Sequence, residues 1–120
     1  MDNIENRLME KVDSIADDLR SLAIRIHDNP ELSLEEYEAC RLHTEILIEH
    51  EFDVEIGVAG YDTSFIASHK GEKDGPVVAF LAEYDALPGL GHGCGHNLVG
   101  TIATGSAISV MDAIDRFGGE

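Results

Sequence analysis

The apolar side chains near the start of the chain recur at the spacing of one helical face. They are Ile4, Leu8, Ile15, Leu19, Leu22 and Ile26. Their separations of three, four and seven residues predict a single amphipathic helix over residues 4–26. We expect it to end around residues 27–30, which read H-D-N-P, because proline disfavours the helical conformation of the residue before it.

A second amphipathic helix is predicted to begin at Ser33 and to end near His50. Ser33 and Glu36 have the spacing of a capping box, in which each side chain accepts a hydrogen bond from the other residue's backbone amide. The predicted buried face consists of Leu34, Tyr37, Cys40, Thr44 and Leu47. Cys40 is therefore expected to be a small core residue rather than a reactive thiol.

Three strands are predicted in the middle of the chain. Residues 52–58 and 63–69 are rich in β-branched and aromatic side chains and are separated by a turn-forming A-G-Y-D sequence. Residues 77–82, V-V-A-F-L-A, are apolar at every position, which is typical of a central strand covered on both faces.

A last helix is predicted from Leu98 to about Ile114, with Asn97 as its N-cap. Small residues along this helix would let it lie close against a sheet. The order helix, helix, strand, strand, strand, helix predicts an α/β domain with a mixed sheet over residues 1–120.

The net charge of −16, from 8 basic and 24 acidic residues, limits the class of partner. Such a surface repels phosphate backbones and anionic lipids, so neither nucleic acid nor a membrane is an expected partner. The longest apolar run, residues 77–82, is too short to span a bilayer. With two cysteines and no apolar leader at the N-terminus, the chain is expected to be cytoplasmic.

Candidate metal ligands lie in a glycine-rich segment after the third predicted strand. Glycine occupies positions 89, 91, 93 and 95, alternating with Leu90, His92, Cys94 and His96. In an extended segment Cys94 and His96 would face one centre, with His92 alongside. A thiolate and an imidazole suit zinc, and also cobalt, nickel or manganese with less selectivity. The alternative is a glycine-rich turn with an incidental cysteine and two surface histidines.

Two acidic residues, Glu83 and Asp85, follow the apolar strand directly and share one face. Open α/β sheets place their ligand sites beyond the carboxyl ends of the strands. A carboxylate beside a metal-bound histidine fixes the tautomer of that histidine and raises its basicity. The alternative is a cluster of surface charges at the end of a strand.

The other histidines carry no comparable signal. His27 lies in the turn between the two predicted helices, where a structural role is the simpler interpretation. His43, His50 and His69 lack partners at ligand spacing and are expected on the surface.

Three sequence motifs resemble the M20 metallopeptidases, specifically their amidohydrolase branch. Residues 27–36, H-D-N-P-E-L-S-L-E-E, are similar to the family signature H-x-x-P-E-L-S-x-x-E. Residues 82–89, A-E-Y-D-A-L-P-G, and residues 91–97, G-H-G-C-G-H-N, are similar to the two active-site stretches of that branch. Their order and spacing also match, and the subgroup they resemble most contains aminobenzoyl-glutamate hydrolase-like enzymes and N-acyl amino acid or dipeptide hydrolases.

The resemblance implies an α/β catalytic domain that holds two divalent metals, with zinc as the first choice. By position, Cys94 and His96 match two metal ligands, and Asp85 matches the acid that orients a metal-site group. Glu83 stands where other branches carry a histidine ligand, so it is an accessory candidate only. His92 is a second accessory candidate, from its place beside Cys94 and His96 in the glycine-rich segment. Asn97 replaces an aspartate found in many members, a departure typical of the aminobenzoyl-glutamate-like subgroup.

The resemblance also predicts that residues 1–120 form only the N-terminal part of the catalytic domain. Family members are several times longer, and their general base, a further glutamate ligand and two histidine ligands match later segments. The inserted dimerisation domain is not expected within this segment, and homodimers are expected of the complete protein. The complete enzyme would hydrolyse an amide bond in a small N-acyl amino acid, dipeptide or aminobenzoyl-glutamate-like substrate. This segment alone would bind metal weakly and be inactive; the alternative is a non-catalytic metal- or partner-binding domain.

Overall fold

The computed structural model describes residues 3–120, which form five helices and one two-stranded sheet. The helices are α1 (Ile4–Ser14), α2 (Ala16–Asp28), α3 (Tyr37–Glu49), α4 (His96–Ser109) and α5 (Met111–Phe117). The strands β1 (Asp53–Ile56) and β2 (Phe65–Ser68) pair antiparallel, with Asp53 opposite Ser68 and Ile56 opposite Phe65. Short 3₁₀ helices cover Val58–Gly60 and His92–Cys94. The first two predicted strands are thus confirmed, although each is shorter than predicted.

The predicted first helix is divided in two at Ile15. Ile15 has non-helical backbone angles (φ −109°, ψ 8°), and its side chain is buried in the core. The hydroxyl of Ser14 donates to the carbonyl of Lys11 at 2.6 Å, and such local bonds compete with helical hydrogen bonding. The predicted end of the helix is confirmed, because α2 stops at Asp28.

The predicted capping box at Ser33 is wrong, since α3 begins only at Tyr37. Leu34 adopts a positive φ of 71°, which is incompatible with a right-handed helix. The Glu31 carboxylate caps α3 instead, accepting from the backbone amides of Glu38 at 2.9 Å and Ala39 at 2.8 Å. Leu34 and Tyr37 of the predicted buried face are exposed, whereas Cys40, Thr44 and Leu47 are buried as predicted.

Residues 77–82 do not form the predicted buried strand. The segment carries no strand pairing, and the Leu81 side chain is 90% exposed. Among residues 3–120, only the start of the segment bonds to the end of the chain, through Val78 N–H to the Glu120 carbonyl at 2.9 Å and Glu120 N–H to the Pro76 carbonyl at 3.1 Å. A central strand needs a hydrogen-bonded neighbour on each side, and the described residues place none beside 79–82. The structure is therefore α/β, but its sheet is the antiparallel hairpin rather than a mixed sheet.

Helix α4 approaches other helices closely where its small residues lie. A Cβ added to Gly105 would stand 2.8 Å from Leu19 Cδ1, and one added to Gly100 would stand 3.0 Å from His43 Nε2. The predicted N-cap of α4 is wrong, because the residue before α4 is Gly95 and the side-chain amide of Asn97 (Nδ2) donates to the Ala23 carbonyl at 3.2 Å. Asn97 therefore ties α4 to α2.

The hydrophobic core lies between α2, α3 and α4, with the sheet along one side. Its buried members are Ile15, Leu22, Ile26, Ala39, Leu42, Ile46, Leu47, Phe52 and Ile108. The stretch of α4 and α5 is apolar and long enough to cross a membrane by length and composition alone. Within this stretch Ile108 is fully buried in the core, and Val110 separates α4 from α5.

One groove exposes apolar side chains from both the 77–82 segment and α4. Phe80, Leu81, Val99 and Ile102 line it together, and all four are exposed. Contiguous exposed apolar surface of this kind favours association. We name these four residues the apolar groove.

The 120-residue chain is expected to self-associate through the apolar groove. The double variant Leu81→Lys/Ile102→Lys should shift the species seen by sedimentation velocity toward the monomer, because it places two charges in that surface. Ile24→Lys, at an exposed apolar residue of α2 outside the groove, is the matched control. A monomeric wild-type chain at micromolar concentration would contradict this expectation.

Candidate metal centre

Glu83, Asp85 and His96 bring one ligand atom each within 4.8 Å of one another. His96 Nδ1 lies 2.8 Å from Asp85 Oδ1, and His96 Nε2 lies 3.2 Å from Glu83 Oε2. Each ring nitrogen therefore faces a different carboxylate. We name these three residues the acidic–histidine cluster.

The acidic side of the cluster is fixed by contacts with the turn between α2 and α3. The Ala86 amide donates to the Glu31 carbonyl at 2.7 Å, and Leu32 and Ala86 form an isolated parallel bridge. Between the two acids, the Tyr84 hydroxyl donates to the Thr63 carbonyl. The motif at residues 27–36 thus positions residues 83–86, a role for Glu31 that sequence reasoning missed.

The histidine side is fixed by the start of α4, since His96 is its first residue. Gly91 and Gly95 have positive φ angles of 64° and 80°, which glycine adopts without strain. They curl the loop around the 3₁₀ helix His92–Cys94. The loop is therefore not the extended segment assumed from the sequence, and alternate residues do not share a face.

Cys94 lies beside the cluster but is not one of its three members. Its Sγ is exposed and approaches the Asp85 carbonyl at 3.7 Å. The structure thus brings Cys94 to the backbone of Asp85, while His96 meets the carboxylate of the same residue. Metal ligation by Cys94 stays a prediction.

His92 is buried and lies next to His27, with 6.5 Å between the ring centroids. Neither ring nitrogen of His92 makes a hydrogen bond of ordinary geometry to another residue within 3–120. Burial, followed by the positive potential of His27 and His96, lowers the pKa of His92. The Ile26 carbonyl nevertheless acts to raise the pKa of the His92 ring. His92 stands outside the acidic–histidine cluster, so the structure does not group it with His96.

The spacing within the cluster fits a divalent cation. Two atoms that bind a tetrahedral zinc ion at about 2.0–2.1 Å lie about 3.3 Å apart. The 3.2 Å between His96 Nε2 and Glu83 Oε2 is close to this value. Carboxylates with one imidazole suit zinc and manganese, and the Asp85 contact at Nδ1 leaves Nε2 for the ion.

The cluster also permits a simpler interpretation as an ion pair. A protonated His96 would satisfy both carboxylates without a metal. Glu83 is 72% exposed, and ion pairs at such exposed sites contribute little to stability. The choice between the two interpretations is therefore a question of metal affinity.

The expectation that His43 lies on the surface is wrong, because its side chain is only 1% exposed. Its Nδ1 lies 2.8 Å from Thr104 Oγ1 on α4. Burial lowers the pKa of His43 to about 4, so the ring is neutral at pH 7. His43 follows Ala39 by four residues and precedes Leu47 by four, a spacing that could have placed it on the buried face.

Burial also affects two neighbours of the cluster. It raises the pKa of the Tyr84 hydroxyl, and the nearby Cys40 thiol adds to that effect. Burial likewise raises the pKa of Cys40, which keeps this thiol protonated. The core role predicted for Cys40 agrees with its burial.

Comparison with characterised proteins gives consistent relatives. The chain is 37% identical over 114 residues to one of the subunits of the p-aminobenzoyl-glutamate hydrolase of Escherichia coli, covering 81% of this chain and 23% of that protein. It is 34% identical to thermostable carboxypeptidase 2 of Saccharolobus solfataricus, covering 100% of this chain and 34% of the relative. It is 35% identical to the Xaa-Arg dipeptidase of Mus musculus, covering 93% of this chain and 28% of that relative.

No family model matches the chain. The chain spans about a quarter to a third of the length of these relatives. The alignment with thermostable carboxypeptidase 2 covers the whole of this chain. The chain therefore belongs to the M20 amidohydrolase family.

Proposed function

We propose that this chain supplies part of the active site of a metal-dependent amidohydrolase. The substrates would be small amides, namely N-acyl amino acids, dipeptides or aminobenzoyl-glutamate-like compounds. The names of the relatives support hydrolysis of such bonds, since they are a hydrolase, a carboxypeptidase and a dipeptidase. The observation that carries the proposal is the His96 imidazole held between the carboxylates of Glu83 and Asp85.

The residues of the cluster would divide the work of holding a divalent metal. His96 would bind through Nε2, because Asp85 occupies its other ring nitrogen at 2.8 Å. Asp85 would act through His96 by fixing its tautomer and orientation. Glu83, facing Nε2, would supply negative charge and an accessory ligand atom.

Cys94 would complete this side of the site as a thiolate ligand, as the family resemblance implies. Its position beside the Asp85 carbonyl places it next to the cluster. We propose two divalent ions in the complete site, with zinc as the first choice and manganese, cobalt or nickel as alternatives.

When bound, the metal ions would polarise the amide carbonyl and lower the pKa of a coordinated water. The groups of the acidic–histidine cluster would hold the metal and orient its ligands. None of residues 3–120 is assigned the role of general base. We propose that a glutamate in a later segment of the longer protein takes the proton from the water. The isolated chain would accordingly bind metal weakly and turn over no substrate. For the complete protein we propose a cytoplasmic setting and a homodimer.

The test is hydrolysis by the longest protein that carries this chain, stripped of metal and then supplied with zinc, manganese or cobalt. N-acetyl amino acids, dipeptides and p-aminobenzoyl-glutamate are the probes, and amine release is measured. Asp85→Asn should lower the metal affinity and the hydrolysis rate about 10- to 100-fold. Asp62→Asn, in the turn before β2, is the matched control.

A hydrolysis rate that is unchanged after chelation of the metal and unchanged in Asp85→Asn would refute the proposal. Metal retained at the cluster without hydrolysis of any probe would favour the alternative of a non-catalytic metal-binding domain.

A further inference from the structure

A buried histidine outside the acidic–histidine cluster connects the two halves of that cluster. His43 lies in the middle of α3 and is almost fully enclosed. On one side its Nδ1 lies 2.8 Å from Thr104 Oγ1 of α4. On another side its ring lies 5.4 Å from the Tyr84 ring, with 31° between the planes. Tyr84 is the residue between Glu83 and Asp85.

One face of α4 contains both the candidate ligand and the contacts of His43. His96, Gly100 and Thr104 are spaced four residues apart, so they lie above one another on the same side of the helix. Gly100 leaves room for the imidazole, since a Cβ there would stand 3.0 Å from His43 Nε2. The same Cβ would stand 3.4 Å from the Glu83 carbonyl, so the imidazole and the acidic segment meet α4 at one point.

The hydrogen bond gives His43 a property that an apolar residue of similar size lacks. A phenylalanine could contact Tyr84, but its ring would make no hydrogen bond to α4. The bond to Thr104 fixes the rotation of the imidazole and therefore the surface that Tyr84 packs against. Tyr84 is itself tied to Thr63 by its hydroxyl, so the 83–85 backbone is held from two directions.

We propose that His43 is a positioning residue that sets the distance between the Glu83–Asp85 segment and His96, and thereby the metal affinity of the cluster. It does so through Thr104 on the helix that carries His96 and through Tyr84 on the segment that carries the acids. The inference rests on the proposed function, because it concerns the metal site assigned there. It adds a residue from α3, far from the glycine-rich loop in sequence.

The experiment titrates the metal-free 120-residue chain with Co²⁺, following the visible absorption of the bound ion, and with Zn²⁺ by calorimetry. His43→Phe keeps a ring against Tyr84 but removes the bond to Thr104. Thr104→Val removes the same bond from the other side at nearly constant volume. Both variants should weaken binding about 5- to 10-fold and change the Co²⁺ spectrum, while Thr104→Ser should restore both. The double variant should lose little more than either single variant, because both remove one interaction.

Thr101→Val is the matched control. Thr101 is another buried threonine of α4, and its hydroxyl donates within the helix to the Asn97 carbonyl at 2.7 Å. It should lower the melting temperature, as Thr104→Val does, yet leave the Co²⁺ spectrum and affinity unchanged. All titrations are made below the measured melting temperature of each variant.

The outcomes separate the inference from the function on which it rests. If Thr104→Val and His43→Phe bind metal with the affinity and spectrum of the wild type, the proposed role of His43 is overturned and the metal centre is not affected. A wild-type chain that binds no Co²⁺ or Zn²⁺ overturns both the metal centre and this role. If His43→Phe does not fold, Thr104→Val against Thr104→Ser decides the question.

Discussion

Replacing His96 by alanine is expected to reduce the zinc affinity of the chain about 100-fold or more. His96 is the only nitrogen ligand of the acidic–histidine cluster. Its loss also leaves Glu83 and Asp85 facing each other without the group that separates them, and even a residue that only orients a ligand typically accounts for 10- to 100-fold in affinity. The measurement is calorimetric titration, with elemental analysis after buffer exchange.

His50→Ala, at the end of α3, is the control for loss of a histidine elsewhere. Cys94→Ser should be measured alongside, because Cys94 adjoins the cluster without belonging to it. If wild type and His96→Ala retain zinc equally, the metal-centre interpretation of the cluster is contradicted and the ion-pair interpretation is favoured. Loss in both variants would place Cys94 among the ligands.

Replacing Glu31 by alanine is expected to lower the free energy of unfolding by about 1–3 kcal/mol, the cost of losing a cap and leaving polar groups unsatisfied. The carboxylate accepts from two amides at the start of α3, those of Glu38 and Ala39. Without it the end of α3 is expected to fray, and the Glu31 carbonyl that holds Ala86 would move with it. Urea denaturation followed by circular dichroism gives the value.

Glu31→Gln should have a smaller effect than Glu31→Ala, because an amide oxygen can still accept one of the two hydrogen bonds. Glu35→Ala, an exposed glutamate in the same turn, is the control for removing a negative charge. Equal stabilities of Glu31→Ala and Glu35→Ala would show that the two amides find water instead and that the cap is dispensable.

Periodicity predicted the helices better than their boundaries. The apolar stripe of residues 4–26 is present, but the Ser14 hydroxyl and the burial of Ile15 divide it. The sequence at Ser33 has the letters of a capping box, yet Leu34 turns the chain out of helical geometry. The effective cap, Glu31, acts from several residues upstream, which a local spacing rule does not detect.

The failed prediction at residues 77–82 has a different cause. The apolar run at residues 77–82 indicates that these side chains favour burial. Burial as a central strand also needs neighbouring strands, which the run itself does not encode. In this structure the backbone partners of residues 71–78 are Gly119 and Glu120, and Leu81 stays exposed.

For the candidate site, the residue types were predictable and their arrangement was not. Glu83, Asp85 and His96 were all singled out from the sequence, and the structure brings these three together. The predicted pairing of Cys94 with His96 assumed an extended loop, whereas Gly91 and Gly95 curl it. His43 carried a weak signal in its helical spacing, which the absence of nearby ligands in sequence obscured.

The bridge between Glu31 and Ala86 makes the cluster a product of folding rather than of local sequence. The candidate ligands among residues 3–120 all lie within residues 83–96, so a short peptide would contain every one of these. The groups that hold these residues in place come from the turn before α3, from α3 itself and from the segment before β2. Closing such long loops is entropically costly and occurs only with the rest of the fold. Metal uptake and chain folding are therefore thermodynamically linked, and an ion that binds only the native arrangement would raise the native population in proportion to its concentration.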